Sequence, residues 1–517
     1  MKYLREMELA VRGKGFSCGY LIITLMYVKT QLEDLQNYLT DASNVAGGTA
    51  DRLLIPESVD EVADVLRDAN SSGTPVTISG ARTGTVGGAV PFGGIVIALE
   101  RINKIVDIDQ ETLTAVVQPG VVLADLQKAA NEARLFYPPD PTEWSCQIGG
   151  TIATNASGAR SFKYGSTRDY VRRLKVVLAD GDTVEVRRGD FASDGDGQLR
   201  IPTAQGRTIE CRVPTYDRPD VRKNVSGYFN EQPLDAVDLF VGSEGTLGVI
   251  VEAELVLLPR PKGLFGGIVF FECEPNLLAA VCEIRSLGRS EGASLDPTLL
   301  EFFDGNSLKL ISEKFPETPA EAACALFFEQ ETTGDNEDDL LETWNEVLER
   351  NGANLDTSWF TTTEPDRERM RAFRHALPVA VNERIVRYGQ RKVGTDMAVP
   401  DSCFPSFLRF YNDILNAGGI DYVIFGHIGD NHLHANMLPK NDEEAKKAWH
   451  IYGRCVAQAI MLGGTASAEH GIGKLKRKYL SAMMGERYLN EMADLKRAFD
   501  PKGILSRGNI FEESYLL

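Results

Sequence analysis

Tyr137-Pro138-Pro139-Asp140-Pro141-Thr142, followed by Gly149-Gly150-Thr151-Ile152-Ala153-Thr154-Asn155-Ala156-Ser157-Gly158, is the stretch on which the reading of this chain turns. Its small residues let a flat ring and a ribityl chain lie directly against backbone, because glycine removes the side chain that would hold a ligand away. Thr154, Asn155 and Ser157 add uncharged hydrogen-bonding groups. A purely structural role in tight turns stays open for this stretch taken alone.

Two other glycine-rich segments flank it. Upstream, Ser79-Gly80-Ala81-Arg82-Thr83-Gly84-Thr85-Val86-Gly87-Gly88 follows a short strand signal at residues 75–79. A loop of this kind can aim backbone N–H groups at phosphate oxygens. No Gly-Lys-Ser/Thr ends it, and its spacing is not the usual dinucleotide fingerprint, so a tight turn and a phosphate cradle remain equal readings. Downstream lies Val241-Gly242-Ser243-Glu244-Gly245-Thr246-Leu247-Gly248-Val249.

At 517 residues the chain exceeds the size at which one core keeps growing, so two or three domains are expected. Helical spacing at 59–66 and 121–134 alternates with strand signals at 75–79, 94–99 and 114–118. Residues 174–178 and 183–186 flank an Asp-Gly turn and predict a hairpin. Residues 249–258 read as a long strand. The pattern is α+β with mixed sheets rather than a regular βαβ array. Pro259-Arg260-Pro261-Lys262-Gly263 marks the best boundary, and strands at 267–271 and 324–329 with helices at 276–288 and 338–350 begin a second α+β unit. Later come a strand at 421–425 and helices at 443–462 and 479–499. The apolar segment 19–28 is too short to span a bilayer and superficially resembles a signal peptide. With no cleavage site after it, it reads as an added N-terminal segment or a helix packed on the first domain.

Lys plus Arg total 55 against 74 Asp plus Glu, a formal net charge of −19. That opposes nucleic-acid binding by the whole surface but allows a local positive pocket for an acidic substrate. None of the eight cysteines forms a CxxC pair, which argues against iron–sulfur runs and zinc knuckles. Their scatter suits a reduced cytoplasmic compartment.

A second kind of chemistry is concentrated in Phe425-Gly426-His427-Ile428-Gly429-Asp430-Asn431-His432-Leu433-His434-Ala435-Asn436, where three of the six histidines fall within eight positions. Glu469-His470-Gly471-Ile472-Gly473 begins 35 residues after His434. Imidazoles with one carboxylate are the ligands of zinc and similar divalent ions. In a strand, His432, His434 and Asn436 share a face, and His427 can turn back toward it. A divalent metal and a hydrogen-bonded histidine network both fit this spacing.

Together these segments make the chain resemble the flavoprotein family of vanillyl-alcohol oxidase and para-cresol methylhydroxylase. Within it, the chain is similar to the branch of D-lactate dehydrogenase, the glycolate oxidase FAD subunit and D-2-hydroxyglutarate dehydrogenase. The resemblance runs over residues 55–509 and is most specific at 138–158, 242–248, 427–436 and 469–473. It implies a two-lobed α+β FAD-binding domain of para-cresol methylhydroxylase (PCMH) type at 45–260, after an N-terminal extension and first helix at 1–44. An α+β substrate domain at 261–455 and a mainly helical C-terminal region at 456–517, returning to the flavin, complete the expected organisation.

Carried onto this sequence, the resemblance makes Ser79, Gly80, Ala81, Arg82, Thr83 and Gly84 the phosphate loop. It makes Pro139, Gly149, Thr151, Ala153, Thr154, Ser157 and Gly158 the flavin-contacting segment, with Gly245 and Ile250 its last part. The family's opening is more glycine-rich than Ser79, Ala81 and Arg82. No histidine precedes His375, so a histidyl link from the FAD domain has no residue to form it, and non-covalent FAD is expected. The same resemblance implies His427, His434 and Glu469 as ligands of zinc or manganese, Asn436 near the substrate and His470 as the base. His432 stands where relatives have asparagine and is taken as a local variation. Arg374, in Phe373-Arg374-His375-Ala376-Leu377-Pro378, is the expected carboxylate anchor, since a guanidinium can grip both oxygens. Pro378 and Gly394 replace polar positions of the hydroxyglutarate-type relatives, with Lys392 close to the latter.

The implied activity is oxidation of a D-2-hydroxy acid (D-lactate, glycolate or D-2-hydroxyglutarate-like) to the 2-oxo acid, with hydride passing to the flavin. An oxygen-using oxidase and a non-catalytic flavin electron-transfer subunit are the rivals. Electrons would leave through a separate acceptor: an electron-transfer flavoprotein, an iron–sulfur subunit, a cytochrome or a quinone system. The expected location is cytoplasmic, or peripheral to a membrane through such a partner. A homodimer stays open.

Overall fold

The computed structural model describes residues 26–288, 295–361 and 363–516. Most of the apolar segment 19–28 lies outside them. Its end, Tyr27–Lys29, is an edge strand antiparallel to Arg52–Ile55. With Ile95–Ala98 and Val76–Ser79, which run parallel to one another, it builds the first lobe's four-stranded sheet. The helix Val59–Ser72 covers this sheet. Ser58 caps it by accepting from the Glu61 N–H, and Gly73 ends it at φ 70°, a left-handed position that glycine adopts without strain. Val62, Val65, Leu66 and Ala69 form its buried stripe, the 3.6-residue spacing read from the sequence.

The second lobe is a five-stranded antiparallel sheet in the order Ile105–Asp109, Thr114–Val117, Val249–Val256, Val171–Val177, Thr183–Arg187. The expected hairpin is here, closed by Gly181 N–H to Leu178 O and Leu178 N–H to Asp182 O.

The remaining large sheet has seven strands, all antiparallel, in the order Ala353–Phe360, Gly263–Phe271, Cys324–Thr332, Pro297–Asp304, Tyr422–His427, His432–Met437, Val393–Gly394. Both faces are covered. Val269, Phe271, Leu326 and Phe328 point toward Glu274–Gly288, Glu337–Arg350 and Phe404–Gly418. Ile268, Phe270, Ala325 and Phe327 point toward Glu364–Tyr388. Two covered faces explain why Pro297–Asp304 is buried at every position and lacks the alternation that marks a half-exposed strand. Each large apolar side chain so buried contributes about 1.5–3 kcal/mol.

The C-terminal chain packs back on the first two lobes. Leu480, Met484, Leu489, Met492 and Phe499, from the helical segment Arg477–Phe499, share a core with Tyr228 and Phe240. Residues 504–506 extend the first sheet alongside Val76. The connecting segment 465–473 is therefore held from two sides. Thr465 and Ala468 bond Ala398 and Asp396 beside the seven-stranded sheet. From the other side, Ser467 O accepts from Val225 N–H, and the Glu244 carboxylate accepts from Ile472 and Gly473 N–H. This double anchoring sets Glu469 and His470 at the junction of the two halves.

Among the described residues all seven cysteines are free thiols, and no helix is long and apolar enough to cross a membrane.

Candidate active site

The strands Tyr422–His427 and His432–Met437 form a hairpin closed by a tight turn at Ile428–Asp430, so His427 sits directly across from His432. Gly426 lies opposite Leu433 at φ 130°, and a Cβ there would press within 3.1 Å of the His434 ring. Glycine is what lets that imidazole tuck against the partner strand. His432 and His434, two apart, point to one face. Glu469 reaches the same place from the 465–473 segment.

Glu469 Oε2 lies 3.3 Å from His427 Nε2, 3.7 Å from His432 Nδ1 and 3.8 Å from His434 Nε2. The four donor atoms all lie within 4.8 Å of one another. Ligands about 2.0–2.1 Å from a tetrahedral zinc stand about 3.3 Å apart; the distances to Glu469 Oε2 are within about half an ångström of that spacing, while the widest pair of donors, up to 4.8 Å apart, would have to close further around an ion. The surroundings fit a cation too. Glu301 takes the outer nitrogen of His427 at 2.5 Å, and the carbonyl of Thr395 takes that of His434 at 2.9 Å. Asp396 Oδ1 stands 3.0 Å from His432 Nε2. Outer carboxylates and carbonyls of this kind fix tautomer and ring orientation in metal sites. His432 Nδ1 is buried and has no hydrogen-bond partner among the described residues.

The charges interlock. Burial opposes ionisation of Glu301, but His427 and Arg374 outweigh it and hold the carboxyl down near 2. Burial likewise works against a charged His427, yet Glu301 and Glu469 raise it to about 9. His434 is held well below the ordinary imidazole value by burial and by His432 and His470. Glu469 Oε1 is taken by the buried Lys223 ammonium at 2.5 Å and by Ser157 Oγ at 2.9 Å, which turns Oε2 to the imidazoles. Lys223 also bonds Gly158 O at 2.8 Å and pairs with Asp430 at 3.1 Å.

His470 stacks on His434 with centroids 5.3 Å apart and planes 13° off parallel, and its Nδ1 is 3.5 Å from Asp396 Oδ2. Asp396, fully buried, also accepts from the Glu469 and His470 N–H groups, Ser467 and Lys476. Arg374 approaches through Glu301, its Nε 3.3 Å from Oε2. Its two terminal nitrogens make no hydrogen bond with the described residues, leaving a free fork. Asn436 donates to His434 O. It faces Gly394, where a Cβ would come within 2.9 Å of its Oδ1, so a polar side chain at 394 has no room while Asn436 keeps this position. Lys392 is solvent-exposed.

The glycine-rich segments form a path toward this cluster. Ser79 ends its strand, and no backbone N–H of Ala81, Arg82, Thr83 or Gly84 finds an acceptor among the described residues. Gly80 abuts Gln147, whose buried Oε1 also lacks a partner. The helix Ile148–Thr154 follows. A Cβ at Gly84 or Gly150 would meet nothing within 4 Å, so both border open space, whereas Gly149 is pressed on Pro119 and Gly158 on Asp140 O. Unpaired donors, an orphaned acceptor and open backbone suit a phosphate-bearing flavin cofactor. Thr151 and Thr154 hydroxyls bond helix carbonyls, Ala153 O accepts from Glu244 N–H, and Asn155 Oδ1 accepts from Arg168 N–H. Asn155 thus serves its own loop. Pro139 is buried with its carbonyl toward Gln127. Gly245 sits beside Ile78, and Ile250 lies in the five-stranded sheet opposite Val176.

Glu301, Asp396 and Lys223 were missed in the sequence. A lone acid inside an apolar run (Leu300-Glu301-Phe302, and Asp396-Met397-Ala398) could have flagged the first two; Lys223 carries no such signal.

Residues 50–187 match the model of the FAD binding domain, and residues 275–510 match that of the C-terminal domain of FAD linked oxidases. The chain therefore belongs to the FAD-linked oxidases of the vanillyl-alcohol oxidase/para-cresol methylhydroxylase type, and is an FAD-dependent oxidoreductase. It is 32% identical to the glycolate oxidase subunit GlcD of Bacillus subtilis, covering 92% of each chain. It is 32% identical to a D-lactate dehydrogenase of Anaerostipes hadrus (92% of each) and 30% to a D-2-hydroxyglutarate dehydrogenase of Stutzerimonas stutzeri (94% and 96%). The fold matches p-cresol methylhydroxylase with a TM-score of 0.68 at 16% identity, over 94% of both chains.

Proposed function

We propose that the chain oxidises a D-2-hydroxy acid, of the D-lactate, glycolate or D-2-hydroxyglutarate class, to the 2-oxo acid. The carrying observation is the hydrogen bond from Ser157 to Glu469, which sets the flavin-segment backbone beside the histidine cluster. The names of the three relatives agree with this substrate class.

FAD, held by residues 79–84 with Pro139, Gly149, Thr151, Ala153, Thr154, Ser157, Gly158, Gly245 and Ile250, would supply the two-electron acceptor for the substrate's Cα hydrogen as hydride. A divalent ion, zinc or manganese, held by His427, His434 and Glu469, supplies Lewis acidity toward a substrate oxygen. Arg374 offers its free fork to the carboxylate. His470 takes the hydroxyl proton, its ring steadied by stacking on His434 and by Asp396 at Nδ1. Asn436 lines the substrate side. Gly394 and Pro378 offer no second charged clamp, which favours small acids over hydroxyglutarate. Reoxidation falls to a separate electron acceptor, and the free thiols among the described residues suit a cytoplasmic setting.

The test is anaerobic. FAD-loaded, metal-replete protein is mixed with a panel of D- and L-2-hydroxy acids while flavin absorbance is followed. Bleaching by a D-hydroxy acid or glycolate supports the reading; failure of the whole panel to bleach the flavin overturns it.

A further inference from the structure

We propose that His432 is a fourth protein ligand of the metal, bound through Nδ1, so that the site consists of three imidazoles and one carboxylate. The inference rests on the metal reading above and concerns a residue that the resemblance leaves out.

Three observations carry it. His432 Nδ1 stands 3.7 Å from Glu469 Oε2, between the 3.3 Å of His427 and the 3.8 Å of His434, so it is as well placed as the expected ligands. Its ring is wholly buried, and Nδ1 has no hydrogen-bond partner among the described residues. A histidine network without metal leaves that nitrogen unsatisfied; a cation would satisfy it. Third, Nε2 stands 3.0 Å from Asp396 Oδ1, on the side where Glu301 and the Thr395 carbonyl hydrogen-bond His427 and His434, although this approach lacks hydrogen-bond geometry. Each ring thus has an outer acceptor beside it and its inner nitrogen turned toward Glu469 Oε2. Asp396 is fixed in turn by the Glu469 and His470 N–H groups, which ties the fourth ligand to the segment that delivers the carboxylate.

The chemistry of the ion follows. Imidazole favours zinc and its transition-metal neighbours, whereas manganese is better served by oxygen donors. Replacing an amide by a third imidazole therefore tilts this chain toward zinc. With four protein ligands, a substrate oxygen would have to be accommodated as a fifth ligand, which zinc sites allow.

The FAD-loaded wild type and His432→Asn are stripped by a chelator and titrated with zinc and manganese against a chromophoric competitor. X-ray absorption is then recorded on the zinc-loaded proteins. The expected wild-type spectrum fits three imidazoles and the variant's fits two. Zinc affinity should fall at least about tenfold, with a smaller change for manganese. A wild-type spectrum with two imidazoles, or equal zinc affinity in both proteins, overturns the assignment of His432 while leaving the metal reading intact. No stoichiometric binding by either metal overturns both. Unchanged flavin absorbance checks that the variant is folded, and if it does not fold the wild-type spectrum decides alone.

Discussion

Ser157 and Glu469, 312 positions apart in the chain, are joined by a hydrogen bond of 2.9 Å from the serine hydroxyl to Oε1 of the carboxylate. One residue belongs to the glycine-rich segment proposed to contact the flavin and the other to the histidine cluster, so in the proposed reaction the bond would set the distance between the two. It also helps Lys223 commit one oxygen of Glu469 and turn the other toward the imidazoles. Ser157→Ala should leave FAD bound, lower metal affinity by up to about tenfold, and slow flavin reduction by substrate. Equilibrium dialysis and stopped-flow absorbance read the two effects. Metal affinity and reduction rate both equal to wild type would show that the contact is incidental.

Arg374 presents two unbonded terminal nitrogens next to the cluster. Arg374→Ala should weaken binding of the acid by about 2 kcal/mol or more, roughly thirtyfold in the dissociation constant, with FAD retained. The substrate dependence of the anaerobic reduction rate gives that constant directly. An unchanged concentration dependence would remove Arg374 from the substrate's carboxylate.

Glu301 bonds His427 from outside and pairs with Arg374. Glu301→Gln keeps the volume but removes the charge that orients the imidazole. Metal content after dialysis against a competing chelator should correspond to a 10–100-fold loss of affinity. Full retention of metal would mean that ring orientation is set elsewhere.

Asp304 supplies a stability prediction away from the site. It is buried at the start of Gly305–Ile311, where it caps by accepting from Ser307 N–H. Burial, opposed by its bonds to Ser307, pushes its carboxyl from 3.8 up to about 6. The folded state therefore holds this proton more tightly than the unfolded state. The associated stability is complete below about pH 4 and is lost as pH rises through about 6. Asp304→Asn keeps a capping oxygen and cannot ionise, so its melting temperature relative to wild type should improve between pH 4.5 and pH 8. Parallel pH profiles of the two proteins would contradict the burial argument.

Much of the architecture was legible in the sequence because local rules act on neighbouring residues. The helix Val59–Ser72 announces itself by apolar spacing, and the hairpin ending at Thr183–Arg187 by its Asp-Gly turn. The strand Pro297–Asp304 does not, since two covered faces erase the alternation, and with it Glu301 was lost from view. Spacing along His432–Met437 put His432 and His434 on one face. It could not say which ring nitrogen turns inward, because that depends on Asp396 and the Thr395 carbonyl, which arrive together from the segment after Val393–Gly394.

The sequence by itself determined the α+β class, the glycine-rich cofactor segments, and the grouping of histidines with Glu469 and His470. The tertiary structure alone decided that Glu301, Asp396, Lys223 and Ser157 surround that group and that His432 points into it. The reason is physical. Backbone periodicity and turn chemistry are set over a few residues. The partner of a buried charge is set by which distant segments share the low-dielectric space where that charge must be paired.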